Sequence, residues 1–214
     1  MEKLLQEIIN QIKDKETCLI AIDGRCASGK TTLAFQLQEY LNCDVIHIDD
    51  FFMPIQKRSE NFMNIIGGNI ERDRFIKEII YPLQKHEKIV YKKFDCQRQS
   101  YIDQIEILNS KIIIVEGTYS FLLVQGMIDI SIFLTIDSTL QKERIIKRNG
   151  EERWKNFEDT WIPLEERYFE TLNLSKDCKT KSVKQFITKR IVINQNVLSK
   201  VEWEEIIKQI KDNN

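Results

Sequence analysis

Short apolar runs alternate along this chain with stretches whose apolar residues recur every three or four positions. The runs Cys18–Asp23, Asp44–Ile48, Lys88–Phe94, Lys111–Glu116, Asp129–Ile136 and Arg190–Asn194 predict strands. Several, such as Ile112-Ile113-Ile114-Val115, lack polar alternation, as expected of strands covered on both faces. Helical spacing appears at Leu4, Leu5, Ile8, Ile9 and Ile12, predicting a leading helix over residues 2 to 13. It returns over Thr32–Leu41, where Leu33, Leu37, Tyr40 and Leu41 share a face, and again over Arg72–Leu83, Ser138–Lys147, Trp161–Leu172 and Val201–Lys211. The stretch Lys88–Leu108, with β-type runs flanking Gln97–Gln99, reads as a hairpin-like excursion, and the polar stretch Ser175–Lys189 as a loop or extension. Strands alternating with helices predict an α/β fold around a mostly parallel sheet.

Composition narrows the picture without changing it. A chain of 214 residues with no internal repeat and only 3 prolines and 7 glycines suits a single domain with a large core. The net charge of -1 argues against a general nucleic-acid or anionic-membrane binder, and no run approaches the length of a membrane helix. The N-terminus lacks the apolar run of a signal peptide, so a cytoplasmic setting is expected. Five scattered cysteines form no CxxC pair, which suggests neither a zinc site nor a disulfide framework.

The chemistry starts at Gly24-Arg25-Cys26-Ala27-Ser28-Gly29-Lys30-Thr31, which fits the phosphate-cradling pattern G-x-x-x-x-G-K-[ST] between a predicted strand and a predicted helix. Backbone N–H groups of such a loop, with the helix start behind them, converge on a triphosphate. Gly24, Ala27, Ser28, Gly29, Lys30, Thr31 and Thr32 are therefore expected to hold ATP, with Lys30 on the β/γ-phosphates and the Thr31 hydroxyl on Mg²⁺.

Two further strand ends carry acids. Val45-Ile46-His47-Ile48 runs into Asp49-Asp50-Phe51-Phe52, and Ile112-Ile113-Ile114-Val115 into Glu116-Gly117. Ligands in open parallel sheets bind beyond the carboxyl ends of strands, so these acids belong near the loop mouth. A carboxylate there could accept a hydroxyl proton or orient water around Mg²⁺. Glu116 stands where P-loop enzymes commonly have Asp, and could reach metal or substrate. His47, inside an apolar run, reads as a satisfied core imidazole.

The succession GRCASGKTT, IHIDDFF, GGNIERDRFIKEIIYPL, YKKFD and IIIVEGTYS resembles the uridine kinase family, continuously from about Leu19 to Phe169. The resemblance implies a P-loop NTPase fold, a three-layer α/β/α sandwich with a small helical lid over about residues 144–160. It implies an ATP-dependent phosphotransferase with an alcohol acceptor, a nucleoside or related small metabolite. Asp49 would be the general base, with Asp50 the weaker candidate, beside Lys30 and Glu116. Thr31 and Glu116 would serve the metal. Glu71 and Asp73 would meet ribose hydroxyls, Phe94 and Gln99 would occupy the nucleobase pocket, and Arg144, Arg148 and Arg153 would close over the phosphates. A homo-oligomer is compatible with this reading.

Phe94 and Gln99 stand where pyrimidine-phosphorylating relatives carry a Tyr and a His, which puts the usual base recognition in doubt and leaves the acceptor open. GTPase motifs N-K-x-D and D-x-x-G, and transporter signatures, do not occur. The standing alternative is a nucleotide-binding regulatory or interaction protein that keeps the fold without turnover.

Overall fold

The computed structural model describes residue 10 and residues 15–108, 110–172, 174 and 190–194. The strands are β1 (Cys18–Gly24), β2 (Asp44–His47), β3 (Ile89–Asp95), β4 (Ser100–Ile107), β5 (Ile112–Glu116), β6 (Ile130–Thr135) and β7 (Arg190–Asn194). The helices are α1 (Lys30–Leu41), α2 (residues 72–85), α3 (Ser120–Leu123), α4 (Ser138–Asn149) and α5 (residues 151–171). Five strands form one sheet in the order β2-β5-β1-β6-β7, every neighbouring pair parallel. Strands β3 and β4 form a separate antiparallel hairpin, as the excursion at Lys88–Leu108 predicts.

Successive residues of a strand face opposite sides, and this divides the sheet's apolar side chains between two cores. Leu19, Ala21, Ile46, Val115 and Phe133 pack with Phe51, Phe75, Tyr168 and Phe169 on one face. Ile20, Ile22, Ile114, Ile132 and Leu134 pack against Leu33, Ala34 and Leu37 of α1 on the other. All seven residues of β1 are buried. That double cover is the reason the central strands carry no polar alternation.

Both long helices contain a wide turn directly before a proline. In α2 the π-helical turn Ile76–Ile80 precedes Tyr81-Pro82, and in α5 the turn Phe157–Trp161 precedes Ile162-Pro163. Proline lacks an N–H and its ring crowds the carbonyl four residues back, so a locally widened helix accommodates it. Helix α5 therefore starts ten residues earlier than the predicted Trp161–Leu172, with Gly150 (φ 87°) separating it from α4. The predicted leading helix, the loop Ser175–Lys189 and the closing helix Val201–Lys211 lie outside the described residues, Asn10 apart.

The sheet order sets the site. β1 sits between β5 and β6, and the chain leaves its carboxyl end straight into the Gly24–Thr31 loop. The register pairs Ile22 with Glu116 and His47 with Glu116, so three strand ends finish at one level. No described helix is long and apolar enough to cross a membrane.

Candidate active site

The loop after β1 is shaped by its backbone. Gly24 has φ 145°, and a Cβ there would lie 2.1 Å from the Leu134 carbonyl oxygen on β6, so only glycine lets the two strands approach. Ala27 (φ 59°) and Gly29 (φ 93°) take left-handed conformations, which turn successive peptide groups around a common concavity. Ser28 is fully buried and its Oγ has no partner among the described residues. Lys30 folds back over the loop, donating from Nζ to the carbonyls of Gly24 (2.8 Å) and Arg25 (3.0 Å).

Three buried charged groups hold this loop, and none carries a sequence motif. Asp23 is fully buried, accepting from the backbone N–H of Gly24 (2.7 Å) and Phe121 (3.1 Å) and from the Tyr168 hydroxyl (2.7 Å). Arg25 is 1% exposed and grips Glu166 of α5 with two bonds, Nε to Oε1 at 2.6 Å and Nη2 to Oε2 at 2.9 Å. Its guanidinium also donates to Thr135 Oγ1 and lies over the rings of Phe133 and Phe169. The neighbouring Glu165 accepts from the Cys26 backbone N–H (2.9 Å) and from Thr118 Oγ1 (3.2 Å). Burial pushes the Glu165 carboxyl up to about 7, against the opposing charge of Lys30. These contacts span about 140 residues of chain, so nothing in the local pattern announces them.

At the ends of β2 and β5 the predicted acids separate by role. Asp50 is buried, receives the Tyr91 hydroxyl at 3.3 Å and is not among the residues lining the cavity that Asp49 faces. Asp49 is exposed in surface area, but that surface opens into a cleft rather than onto bulk solvent. Desolvation by the surrounding protein and the charge of Glu116 raise its pKa, while Lys30 and His47 oppose the shift. Glu116 is 4% exposed and binds two partners through Oε1: Thr31 Oγ1 donates at 3.1 Å, and His47 Nδ1 lies 2.6 Å away. His47 is thus tied to the strand-end acid, not sequestered in the core.

One cavity of about 1150 Å³ gathers the Gly24–Thr31 loop, Asp49, Glu116 and residues of α4 and α5. Arg144, Arg148 and Arg153 all line it. Arg144 Nη1 donates to the Ala27 carbonyl (3.2 Å), and Arg148 Nη2 lies 3.5 Å from Cys26 Sγ. The structure therefore brings the predicted arginines to the loop.

Three predicted substrate contacts do not reach this cavity. Glu71 is locked by Lys57 Nζ (3.1 Å), Arg74 Nε (2.8 Å) and the Tyr101 hydroxyl, so it fastens the β3-β4 hairpin to the segment before α2. Despite partial desolvation, these donors hold its carboxyl below the usual range. Asp73 is exposed in the first turn of α2. Phe94 is buried edge-on against Tyr101, with 5.6 Å between ring centroids. Gln99 does line the cavity, yet its amide is engaged within the turn, accepting from Ile55 N (2.9 Å) and donating to the Cys96 carbonyl (2.6 Å). Missing from the sequence reading are Asn69, Arg58 and Trp161, which line the cavity beyond Asp49.

The geometry can be set beside known proteins. The family model AAA_18, described as an AAA domain, matches residues 20–163. Uridine-cytidine kinase D of Dictyostelium discoideum is 26% identical over 130 residues, 60% of this chain but 26% of that protein. Nicotinamide riboside kinase 1 of Homo sapiens is 58% identical over 40 residues, 18% of this chain and 20% of that one. The match thus spans about a quarter or less of either relative's length. The solved structure of a possible uridine kinase from Bacillus stearothermophilus shares the fold with a TM-score of 0.54 and 20% identity, covering 74% of this chain and 91% of its own. The chain belongs to the AAA_18 family of AAA domains.

Proposed function

We propose that this chain is an ATP-dependent kinase that moves the γ-phosphate onto a hydroxyl of a small molecule, a nucleoside or related ribosyl compound. The observation that carries the reading is one cavity lined at once by Lys30, Thr31, Glu116, Asp49 and the arginines of residues 144–160, the segment we take as the lid. The names of the relatives, kinases of uridine, cytidine and nicotinamide riboside, support it.

The loop suits a nucleotide. Its left-handed backbone at Ala27 and Gly29 and the buried Oγ of Ser28, without a partner among the described residues, form a cradle with donors to spare. Lys30, held on the loop's own carbonyls, supplies fixed positive charge beside the phosphates. Thr31 and Glu116, already sharing a hydrogen bond, are the oxygen donors that would hold Mg²⁺. Held there, such an ion would supply positive charge beside the phosphates.

Asp49 is the base in this reading. The acceptor oxygen bonds to the γ-phosphorus, the bond from that phosphorus to the β,γ-bridging oxygen breaks, ADP leaves and the hydroxyl proton passes to Asp49. A carboxyl whose pKa is raised is closer to the working pH and a better proton acceptor than an ordinary aspartate. Arg144, Arg148 and Arg153 supply donors for the moving charge. Most of the acceleration in such a site comes from positioning and electrostatics.

The test is ATP consumption by the full chain with Mg²⁺ against uridine, cytidine, nicotinamide riboside, pantothenate and sugar phosphates. Stimulation by one acceptor, with a phosphorylated product, supports the kinase. Tight ATP binding with no stimulation by any of them supports the regulatory alternative.

A further inference from the structure

The same cavity carries a cation with no counterion among the described residues. Arg58 lies on the segment between β2 and α2, half-buried, and lines the cavity. Its Nε donates to the Met53 carbonyl at 3.0 Å, and its guanidinium carbon sits 5.4 Å from the ring centroids of both Phe62 and Trp161. Among the described residues it makes no ion pair, and its two Nη groups donate to none of them. A guanidinium fixed in this way keeps one edge ready for a two-pronged hydrogen bond to a carboxylate or phosphate. Desolvation lowers its pKa, the mark of a charge short of stabilisation.

Asn69 supplies a second, independent sign of a ligand. It is 4% exposed and lines the same cavity, and its Oδ1 has no partner among the described residues. A buried amide oxygen left unmatched costs free energy that a ligand donor, such as a hydroxyl, recovers. Two acids carried on the segments around Arg58 are engaged elsewhere, and the cavity's Asp49 is taken by the reacting hydroxyl. Glu71 is tied to Lys57, Arg74 and Tyr101, and Asp50 is buried toward Tyr91.

We propose that the acceptor is an anionic polyhydroxyl compound, its carboxylate or phosphate bound by Arg58, one hydroxyl donating to Asn69 and another presented to Asp49. This rests on the kinase reading above and narrows it: an uncharged nucleoside leaves Arg58 unmatched, and a cationic one meets it unfavourably. Phe52, Phe157 and Trp161 also line the cavity and provide apolar wall for a ring or carbon chain.

The experiment uses two matched pairs of acceptors with the full chain, ATP and Mg²⁺. Orotidine against uridine adds a carboxylate to the same nucleoside, and ribose 5-phosphate against ribose adds a phosphate to the same sugar. We expect kcat/KM to favour the anionic member of at least one pair by about tenfold or more, the range of a charge-assisted bidentate contact. The pair that responds tells carboxylate from phosphate. Arg58→Met should abolish that preference mainly through KM of the anionic acceptor, and Arg58→Lys should restore part of it. Equal turnover of both members by the unaltered chain, or an Arg58→Met loss equal for both, overturns the inference while the kinase reading stands. If none of the four stimulates ATP consumption the inference falls too, and the wider acceptor screen then decides the kinase reading separately.

Discussion

His47 Nδ1 lies 2.6 Å from Glu116 Oε1, across the β2-β5 pairing that sets the two residues opposite each other. The same oxygen accepts from Thr31 Oγ1 at 3.1 Å. Glu116 thereby links the end of β5 to the first turn of α1 and to β2, and its position is fixed from two sides. Burial lowers the pKa of His47, but the hydrogen bond and charge of Glu116, with Asp50 and Asp49, outweigh it and leave the imidazole raised.

That balance predicts what removing the charge does. In Glu116→Gln, desolvation remains while the main opposing charge goes, so the His47 pKa should fall, toward or below the ordinary 6.5. An NMR titration of the His47 ring in Mg²⁺-free buffer reads this directly. A raised histidine stabilises the fold below its unfolded pKa, and that contribution is lost as pH rises through the folded value. The variant should therefore lose more stability at pH 5 than at pH 8. An unchanged His47 titration would mean that the contact does not exist in solution.

Asp49→Asn should separate binding from chemistry. The side chain has no hydrogen bond to the loop and is not needed to hold it, so ATP affinity should change by no more than about threefold. Turnover with the best acceptor should fall by about a hundredfold or more, the usual contribution of a positioned base. Isothermal titration with ATP and steady-state kinetics give the two numbers. Near-normal kcat would remove Asp49 from its role.

The strands and the loop were legible because their signals are local. β1, β2, β5 and β6 lie within a residue or two of their apolar runs, and Gly24–Thr31 is defined by spacing alone. Asp49 and Glu116 follow from the rule that strand ends carry the site, since the parallel register brings their termini level. The legible part ends where contacts join distant segments. Nothing around Glu165 and Glu166 distinguishes them from a solvated helix face until α5 packs on the loop. Glu71 shows the same limit. The resemblance placed it at ribose hydroxyls, but Lys57, Arg74 and Tyr101 converge on it from three segments and take up its oxygens.

Glu165 gives a stability prediction with a defined pH window. Its folded pKa of about 7 lies above the ordinary glutamate value of 4.5, so the folded state favours the protonated form. Its contribution to stability is complete below pH 4.5 and is lost as pH rises through about 7. In Glu165→Gln no proton is released. Its stability relative to the unaltered chain should rise between pH 4.5 and 7 by on the order of 3 kcal/mol, then level off. Urea unfolding of both proteins at pH 5, 6, 7 and 8 measures the difference. A difference that stays flat across that range would show that Glu165 titrates normally.

Arg25 offers the sharpest test of how the phosphate loop is held. The residue occupies a variable position of the G-x-x-x-x-G-K-[ST] pattern, yet it is 1% exposed and contacts Glu166, Thr135, Phe133 and Phe169. Arg25→Ala removes both bonds to Glu166 and the packing of the guanidinium on two rings, and leaves a void beside the loop. Loss of one partner of a largely buried pair costs about 3–5 kcal/mol. Arg25→Lys keeps the charge but cannot reproduce the paired Nε and Nη2 contacts, so it should fall between the two. Glu166→Gln leaves the buried guanidinium facing a neutral partner, but it keeps one hydrogen-bond acceptor, the contact with Thr135 and the packing on Phe133 and Phe169, and opens no void, so it should cost less than Arg25→Ala. Thermal melts of the three variants should therefore order as Glu166→Gln above Arg25→Lys above Arg25→Ala. If the loop depends on this clamp, ATP affinity should weaken in the same order. A destabilised Arg25→Ala that bound ATP at full strength would make the clamp a core contact with no part in shaping the phosphate site.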